Sequence, residues 1–169
     1  VKFENKITLH NFYVPAGGDV PDIKTNPKFK YKLEFLREMK RYFNREKIKK
    51  RILVGDINIA PSEFDVWSHK QLLKVVSYTP IERKFLSSLL EEGEWVDVVR
   101  FNSLPNTKLF SWWSYRNRNW ELSNKGRRLD HIFSSIDIKL KFKNIKICKE
   151  LRGISKPSDH VPIIADVKL

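Results

Sequence analysis

Hydrophobic positions recur every four residues in the first third of the chain. Tyr31, Phe35, Met39 and Phe43 follow this spacing, and lysine and arginine occupy the remaining positions around them. A helical period of 3.6 residues places such positions on one face. The pattern therefore predicts a long amphipathic helix over Lys28–Lys50.

A second helix is predicted over Pro80–Glu92. Proline suits the first helical position, because its missing N–H is not needed there. Apolar residues with helical spacing run from Phe85 to Leu90, and Gly93 follows as a stop signal. The intervening residues 57–79 are predicted to be irregular, with a helical turn or two.

Short apolar or alternating runs predict strands between these helices. The run Arg51–Asp56 ends in a glycine and an acid, which is typical of a buried strand that delivers a polar side chain at its carboxyl end. The other predicted strands are Ile7–Tyr13, Leu109–Trp113, Arg128–Ser134, Ile138–Cys148 and Val161–Val167. Strands mixed with helices of different lengths predict an α/β or α+β fold with a mixed sheet, in a single domain over residues 1–169.

Composition adds a charge argument to this fold. The 169 residues carry 33 Lys and Arg against 20 Asp and Glu, for a formal net charge of +13. Such an excess favours a polyanionic partner, most simply nucleic acid, although a solvated basic surface is the alternative.

Cys148 is the only cysteine, which excludes a disulfide scaffold and favours a reducing compartment. With no apolar run near 18 residues, we expect a cytoplasmic protein, nucleoid-associated if bacterial, with no membrane partner.

Two polar residues follow the strand Arg51–Asp56 and are candidates for chemistry. Asp56 and Asn58 are two positions apart, so an extended segment would point both toward one site. A carboxylate and an amide together suit the positioning of water beside a phosphate or a metal. The alternative is that both are turn residues after a strand.

A histidine and two carboxylates form the next candidate group. Asp130 could accept a hydrogen bond from His160, which would fix the tautomer and stabilise the imidazolium. Asp159 adds a carboxylate where a hard cation could bind. Alternatively, Asp159 caps a turn and His160 is merely exposed. His131 is predicted to point away from Asp130, because neighbours on a strand face opposite sides.

Aromatic and basic residues alternate within Phe110–Trp120. Three tryptophans and two arginines in this stretch match the stacking and phosphate-binding composition of nucleic-acid surfaces. Core packing accounts for one or two of these aromatics but not for the whole set with its arginines. Arg127 and Arg128 extend the predicted basic surface. Tyr13 could donate to a phosphate, or could be an ordinary strand aromatic.

Seven segments in this order resemble the exodeoxyribonuclease III family of apurinic/apyrimidinic endonucleases, within the wider endonuclease/exonuclease/phosphatase fold. The segments are 11–15, 28–36, 55–61, 81–83, 110–116, 126–130 and 156–162. The resemblance implies part of a four-layer α/β sandwich, with mixed β-sheets and with helices on the outer faces.

The resemblance also implies a role for each candidate residue. Tyr13 would contact the scissile phosphate, and Asp56 would orient or deprotonate the attacking water. Asn58 would stabilise the transition state, and Asp130 would be the partner of the catalytic His160. A divalent cation, Mg²⁺ or Mn²⁺, would neutralise charge on the phosphate; its expected ligands are Asp56, Asn58, Asp159 and His160.

The predicted DNA-binding surface surrounds a pocket for the damaged or terminal nucleotide. Its residues are Trp112, Arg116, Arg127, Arg128 and Leu129. Trp112 and Leu129 would line the pocket, and some relatives carry a bulky apolar residue at the position of Arg127. The implied partner is duplex DNA with abasic sites or 3′ ends.

The implied reaction is hydrolysis of the phosphodiester 5′ to an abasic site and removal of nucleotides from 3′ ends. In the family, two elements that precede the tyrosine-bearing strand supply an asparagine and a metal-binding glutamate. We expect both to be absent here, with the amino-terminal strands, so we expect the chain alone to lack full activity. A non-catalytic DNA-binding remnant is the alternative; a phosphatase for lipids or small phosphoesters is disfavoured by the Trp–Arg loop and the charge.

Overall fold

The structure is a computed structural model that describes residues 1–3, 6–45 and 49–168. Within these ranges, strands and helices intermix, which confirms the predicted α/β class with mixed sheets. The predicted helix Lys28–Lys50 ends at Asn44, and Lys49 and Lys50 are not helical; residues 46–48 of the prediction lie outside the described residues. None of the helices in the described part of the chain combines the length and apolarity needed to cross a bilayer.

The central sheet has four strands in the order β1-β2-β6-β3. Strand β1 runs parallel to β2, whereas β6 runs antiparallel to both β2 and β3. Two smaller antiparallel pairs, β4-β5 and β7-β8, complete the strands. The strands are β1 Thr8–Asn11, β2 Arg51–Asp56, β3 Trp95–Asp97, β4 Trp112–Trp113, β5 Gly126–Arg127, β6 Asp130–Ser135, β7 Phe142–Ile147 and β8 Ile163–Val167.

Two longer helices and three short ones connect the strands. Asn26 caps the first helix by accepting from the backbone N–H groups of Lys28 and Phe29. Thr79 and Glu82 form a reciprocal capping box at the start of the third, which begins at Pro80 as predicted. The helices are α1 Pro27–Asn44, α2 His69–Leu72, α3 Pro80–Glu92, α4 Val98–Phe101 and α5 Trp120–Ser123.

Side chains alternate across the central sheet and build one core on each face. Leu53 and Phe133 pack with α1 and α3, whereas their neighbours Ile52 and Ile132 pack with the β7-β8 pair on the other face. Removing this apolar area from water is the main force that holds the layers together. The helices and the β7-β8 pair cover the two faces of the central sheet. The carboxyl ends of β1 and β2 and the start of β6 meet at one end of it.

Several boundaries differ from those predicted. The predicted strand Leu109–Trp113 shortens to β4, and the first part of Ile138–Cys148 belongs to a 3₁₀ helix over Ile136–Lys141. Strand β3 was not predicted, because three residues are too few for alternation to register. The predicted strand Ile7–Tyr13 shortens to β1, and the predicted strand Arg128–Ser134 begins only at Asp130, as β6.

Candidate active site

The ends of three strands bring the predicted polar residues together. Asp56, the last residue of β2, lies opposite Asp130, the first residue of β6. Tyr13 follows β1, and the backbone N–H of the next residue, Val14, donates to the carbonyl of Asp56 over 2.9 Å. The Tyr13 ring is 70% exposed. The side chains at these strand ends therefore lie together at one end of the central sheet.

Asp130 and His160 form the predicted hydrogen-bonded pair. The distance between Nδ1 of His160 and Oδ2 of Asp130 is 2.8 Å. Ser111 donates to the same carboxylate oxygen over 2.7 Å, and its hydroxyl accepts from the backbone N–H of Asp130 over 3.1 Å. The carboxylate is therefore held from two sides, and it orients the imidazole so that Nε2 faces the site.

The surroundings of His160 favour its charged form. Burial by itself lowers the pKa of His160, but the hydrogen bond to Asp130 and the charges of Asp130, Asp56 and Asp159 outweigh it and raise the pKa above its usual value. The Nε2 atom lies 3.9 Å from Oδ2 of Asp56. His160 is thus a cationic donor set among carboxylates, an arrangement suited to a phosphate.

Asp56 and Asn58 form the second half of the site. The side-chain amide of Asn58 donates to Oδ2 of Asp56 over 2.8 Å, and its backbone N–H donates to Oδ1 over 2.9 Å. Asn58 has a positive φ of 54°, a conformation that asparagine tolerates better than most residues. Burial and the nearby charge of Asp130 raise the pKa of Asp56 to about 6. Such a carboxyl group is suited to exchanging a proton near neutral pH.

This cluster has the composition of a cation site. One potential ligand atom from each of Asp56, Asp130 and His160 lies within 4.8 Å of the others. Burial and then the charge of Asp130 raise the pKa of Asp56, and a divalent cation beside it would favour the charged carboxylate. Carboxylate oxygens are the ligands that hard cations prefer. The residues present therefore fit a metal ion.

Asp159 holds a tryptophan next to this cluster. Its Oδ2 accepts from the indole Nε1 of Trp112 over 2.9 Å, and its backbone carbonyl accepts from Trp113 over 2.9 Å. The group of three potential ligands described above does not include Asp159. In this structure the carboxylate anchors the Trp112 ring beside His160 rather than joining the predicted metal ligands.

A pocket of about 720 Å³ opens next to the cluster. Asn58, Trp112 and Leu129 line it, and the pocket therefore adjoins the residues just described. Trp112, Arg116, Arg127 and Leu129 were all predicted to bind DNA, and all four line this pocket. Its wall combines an aromatic ring with cations, the combination that nucleotide-binding surfaces use.

Arg128 does not lie on this surface, contrary to the prediction. It is fully buried, with an exposure of 0%. Its Nε donates to Asp65 over 2.7 Å, and its Nη1 and Nη2 donate to Asp97 over 2.9 and 2.6 Å. Arg128 lies between β5 and β6, where its guanidinium is paired with two carboxylates inside the protein.

His131 also faces away from the site, as predicted. Its Nε2 lies 2.9 Å from the carbonyl oxygen of Ile59, and its ring stacks on Phe133. Burial and the positive charge of Arg128 lower the pKa of His131 to about 4. A neutral, enclosed imidazole of this kind has a structural role.

Sequence reasoning missed two residues that support the site. Ser111 fixes Asp130, and Lys32 donates to the backbone carbonyl of Asn58 over 2.8 Å. Lys32 could have been identified from the sequence, because it lies among the residues Phe29, Leu33 and Leu36 on the buried face of α1. A lysine on such a face needs a buried partner. Ser111 gave no comparable signal.

Curated proteins of related sequence match most of the chain. No family model matches the chain. The chain is 31% identical to exodeoxyribonuclease III of Haemophilus influenzae over 170 aligned positions, which cover 96% of the chain and 62% of that protein. A Bacillus subtilis exodeoxyribonuclease is 31% identical over 112 positions, covering 66% of the chain and 42% of that protein. The chain thus spans less than two thirds of the length of these curated relatives.

Solved structures agree with these sequence relatives. An AP endonuclease from Archaeoglobus fulgidus superposes with a TM-score of 0.88 at 27% identity, covering 97% of the chain and 62% of that structure. A 3′ phosphatase from Neisseria, solved with a product DNA hairpin, gives a TM-score of 0.85 at 25% identity, covering 96% of the chain and 62% of that structure. By sequence and by fold, the chain is similar to part of the exodeoxyribonuclease III and AP endonuclease proteins.

Proposed function

We propose that the protein is a metal-dependent DNA-repair nuclease that hydrolyses phosphodiesters at abasic sites and 3′ ends of duplex DNA. The observation that carries the proposal is the Asp130–His160 pair, held at 2.8 Å beside Asp56 and Asn58. The pocket lined by Trp112 adjoins this group. A proton acceptor, a cationic donor and a nucleotide-sized pocket at one sheet edge suit attack of water on a phosphate.

Each side chain has a role that its surroundings support. Asp56, with a pKa raised to about 6, is ionised above that pH and accepts a proton from the attacking water. Asn58 orients Asp56 through two hydrogen bonds. His160, kept charged by Asp130, donates to the phosphate oxygens, where negative charge develops in the transition state. The exposed hydroxyl of Tyr13 contacts the same phosphate.

A divalent cation completes the proposal. Asp56 and Asn58 would hold it, with Asp130 in contact, and when bound it would supply positive charge against the phosphate. His160, expected from the sequence to be a ligand, is charged and acts instead as the donor to the phosphate. We propose Mg²⁺ or Mn²⁺, because carboxylate and amide oxygens favour hard cations.

The lone Cys148 supports a cytoplasmic, reducing location.

Incision of a duplex with one abasic-site analogue tests the proposal. The protein is incubated with Mg²⁺, with and without a chelator, and the products are resolved at nucleotide level. Chelator-sensitive cleavage 5′ to the abasic position that is lost in Asp56→Asn supports the nuclease. Asp166→Asn, the same change at an exposed carboxylate on β8, is the matched control and keeps the activity.

Two other results would redirect the proposal. Salt-dependent binding of duplex DNA without turnover at any Mg²⁺ or Mn²⁺ concentration would favour the non-catalytic DNA-binding alternative. Hydrolysis of small phosphoesters with no affinity for DNA would favour a phosphatase instead.

A further inference from the structure

Arg127 lies in the pocket wall and lacks a carboxylate partner among the described residues. Its Nη1 donates to the carbonyl of Val76 over 3.1 Å and to the hydroxyl of Ser77 over 2.8 Å. The guanidinium stacks on Trp112 with its carbon 5.2 Å from the ring centroid. The Nε atom is buried and makes no hydrogen bond. The group is thus fixed in place by uncharged neighbours, with donor capacity left over.

An unpaired cation in this position favours an anionic ligand. Burial lowers the pKa of Arg127, because enclosure disfavours its charged form. The acid whose charge acts on it, Glu82, is fully buried and is paired with Lys32 over 2.5 Å. An anion that reached the guanidinium would recover the cost of burying it, through a charge-assisted hydrogen bond.

The charges around the pocket point the same way. Besides Arg127, the lining includes the cations Arg116 and Lys125, whereas Asp19 is the one acid in it. The ammonium of Lys125 lies 4.9 Å above the ring centroid of Trp67, which also lines the pocket. Fixed cations on one side of a cleft raise the local concentration of anions.

The position of the pocket identifies which part of a substrate it meets. The pocket shares Asn58 with the catalytic cluster, and Leu129 directly precedes Asp130. If a terminal phosphate is held at Asp56 and His160, the group esterified to it on the side opposite the DNA 3′ oxygen would therefore lie in this pocket. We propose that Arg127 makes the enzyme select 3′ ends on which the group esterified to the terminal phosphate is itself anionic, such as a carboxylate. This inference rests on the proposed nuclease function.

The reaction for such an end is a simple hydrolysis. The oxygen of water forms a bond to phosphorus, and the bond between phosphorus and the 3′ oxygen of the DNA breaks. The 3′ oxygen takes up one proton to give a 3′ hydroxyl, and the second oxygen-bound proton of water stays with the released phosphomonoester or passes to solvent. Arg127 contacts the anionic end of that phosphomonoester and transfers no proton.

Two matched substrates test the charge requirement. One duplex carries a 3′-phosphoglycolate, and the other carries the glycolamide, in which an uncharged amide replaces the carboxylate with the same shape. We expect kcat/KM for the glycolate to exceed that for the glycolamide about tenfold, the size of one charge-assisted hydrogen bond. In Arg127→Leu the ratio of the two values falls to about one. Arg127→Lys keeps part of it, because the charge remains but the stacked plane is lost.

Arg118→Leu is the matched control variant. Arg118 lies in the same basic loop, is exposed and is outside the lining of the pocket. Its loss removes the same charge from the protein and should leave the glycolate preference at its original value. An equal loss of preference in Arg118→Leu and Arg127→Leu would overturn the proposal, since general charge rather than the pocket would then decide selection.

Binding in the presence of chelator separates this inference from the proposed function. Fluorescence anisotropy of the two duplexes should show tighter binding of the glycolate end by the unmodified protein and no difference in Arg127→Leu. A binding preference without any turnover would support the anion site while contradicting the nuclease. Turnover with equal rates and equal affinities for both ends would do the reverse and would refute the role of Arg127.

Discussion

The ammonium of Lys32 donates a hydrogen bond of 2.8 Å to the backbone carbonyl of Asn58. Lys32 is fully buried and forms an ion pair of 2.5 Å with Glu82, which itself accepts from the backbone N–H groups of Ser77 and Thr79. One buried ion pair therefore connects α1, α3 and the loop that carries Asn58 at a positive φ. The loop that carries Asn58 is therefore held by contacts in the core of the protein rather than at its surface.

Replacement of Lys32 by methionine should destabilise the protein strongly. The change leaves the Glu82 carboxylate buried without its cation, which costs about 3–5 kcal/mol when one partner of a buried pair is removed. Urea denaturation of the variant and the unmodified protein measures the difference. The double variant Lys32→Met with Glu82→Gln removes both charges but keeps a side-chain oxygen that can accept from the N–H groups of Ser77 and Thr79, and it should recover part of the loss.

Lys30→Met serves as the control for this experiment. Lys30 is exposed on the same helix, and its ammonium lies 4.0 Å from a carboxylate oxygen of Glu34. An exposed pair of this kind contributes about 0.3–0.5 kcal/mol. A loss of equal size in Lys30→Met and Lys32→Met would contradict the anchoring role of the buried pair.

Asp130→Asn should reduce turnover far more than DNA binding. The neutral amide cannot stabilise the imidazolium of His160. If its N–H donates to Nδ1 of His160, it also favours the tautomer in which Nε2 carries the proton. If the chain is a nuclease, we expect kcat to fall about 10²- to 10⁴-fold while KM changes little. Asp166→Asn should leave both parameters unchanged. A parallel rise in KM for Asp130→Asn would indicate that the residue holds the substrate instead.

Arg116→Gln should weaken DNA binding in a salt-dependent manner. Arg116 is exposed at the mouth of the pocket, where a phosphate of the DNA backbone can reach it. Losing one phosphate contact lowers the slope of log affinity against log salt by about one. Arg41→Gln, on the exposed face of α1, removes the same charge elsewhere and should leave the slope intact. An identical slope for Arg116→Gln would exclude the contact.

The sequence allowed the residues of the proposed site to be predicted, but not the residues that support them. Asp130 and His160 could be predicted as partners, because a carboxylate beside a histidine has a recognisable chemistry and the family resemblance supplied their order. Arg128 was predicted on the DNA surface, since a run of two arginines resembles an exposed patch. Its partners Asp65 and Asp97 lie 63 and 31 positions away, so only the tertiary fold reveals that it is internal.

The Arg128 network predicts how stability depends on pH. Burial by itself raises the pKa values of Asp65 and Asp97, but the charge and hydrogen bonds of Arg128 outweigh it and hold both below the usual range. Stabilisation by such groups is complete above their unfolded pKa of about 3.9 and is lost as pH falls through the folded values. Asp97→Asn should therefore cost about 3 kcal/mol at pH 6, because one buried carboxylate no longer faces Arg128, and less at pH 3. Urea denaturation at both pH values measures this, with Asp166→Asn as the exposed control; an equal cost at the two pH values would contradict the assignment.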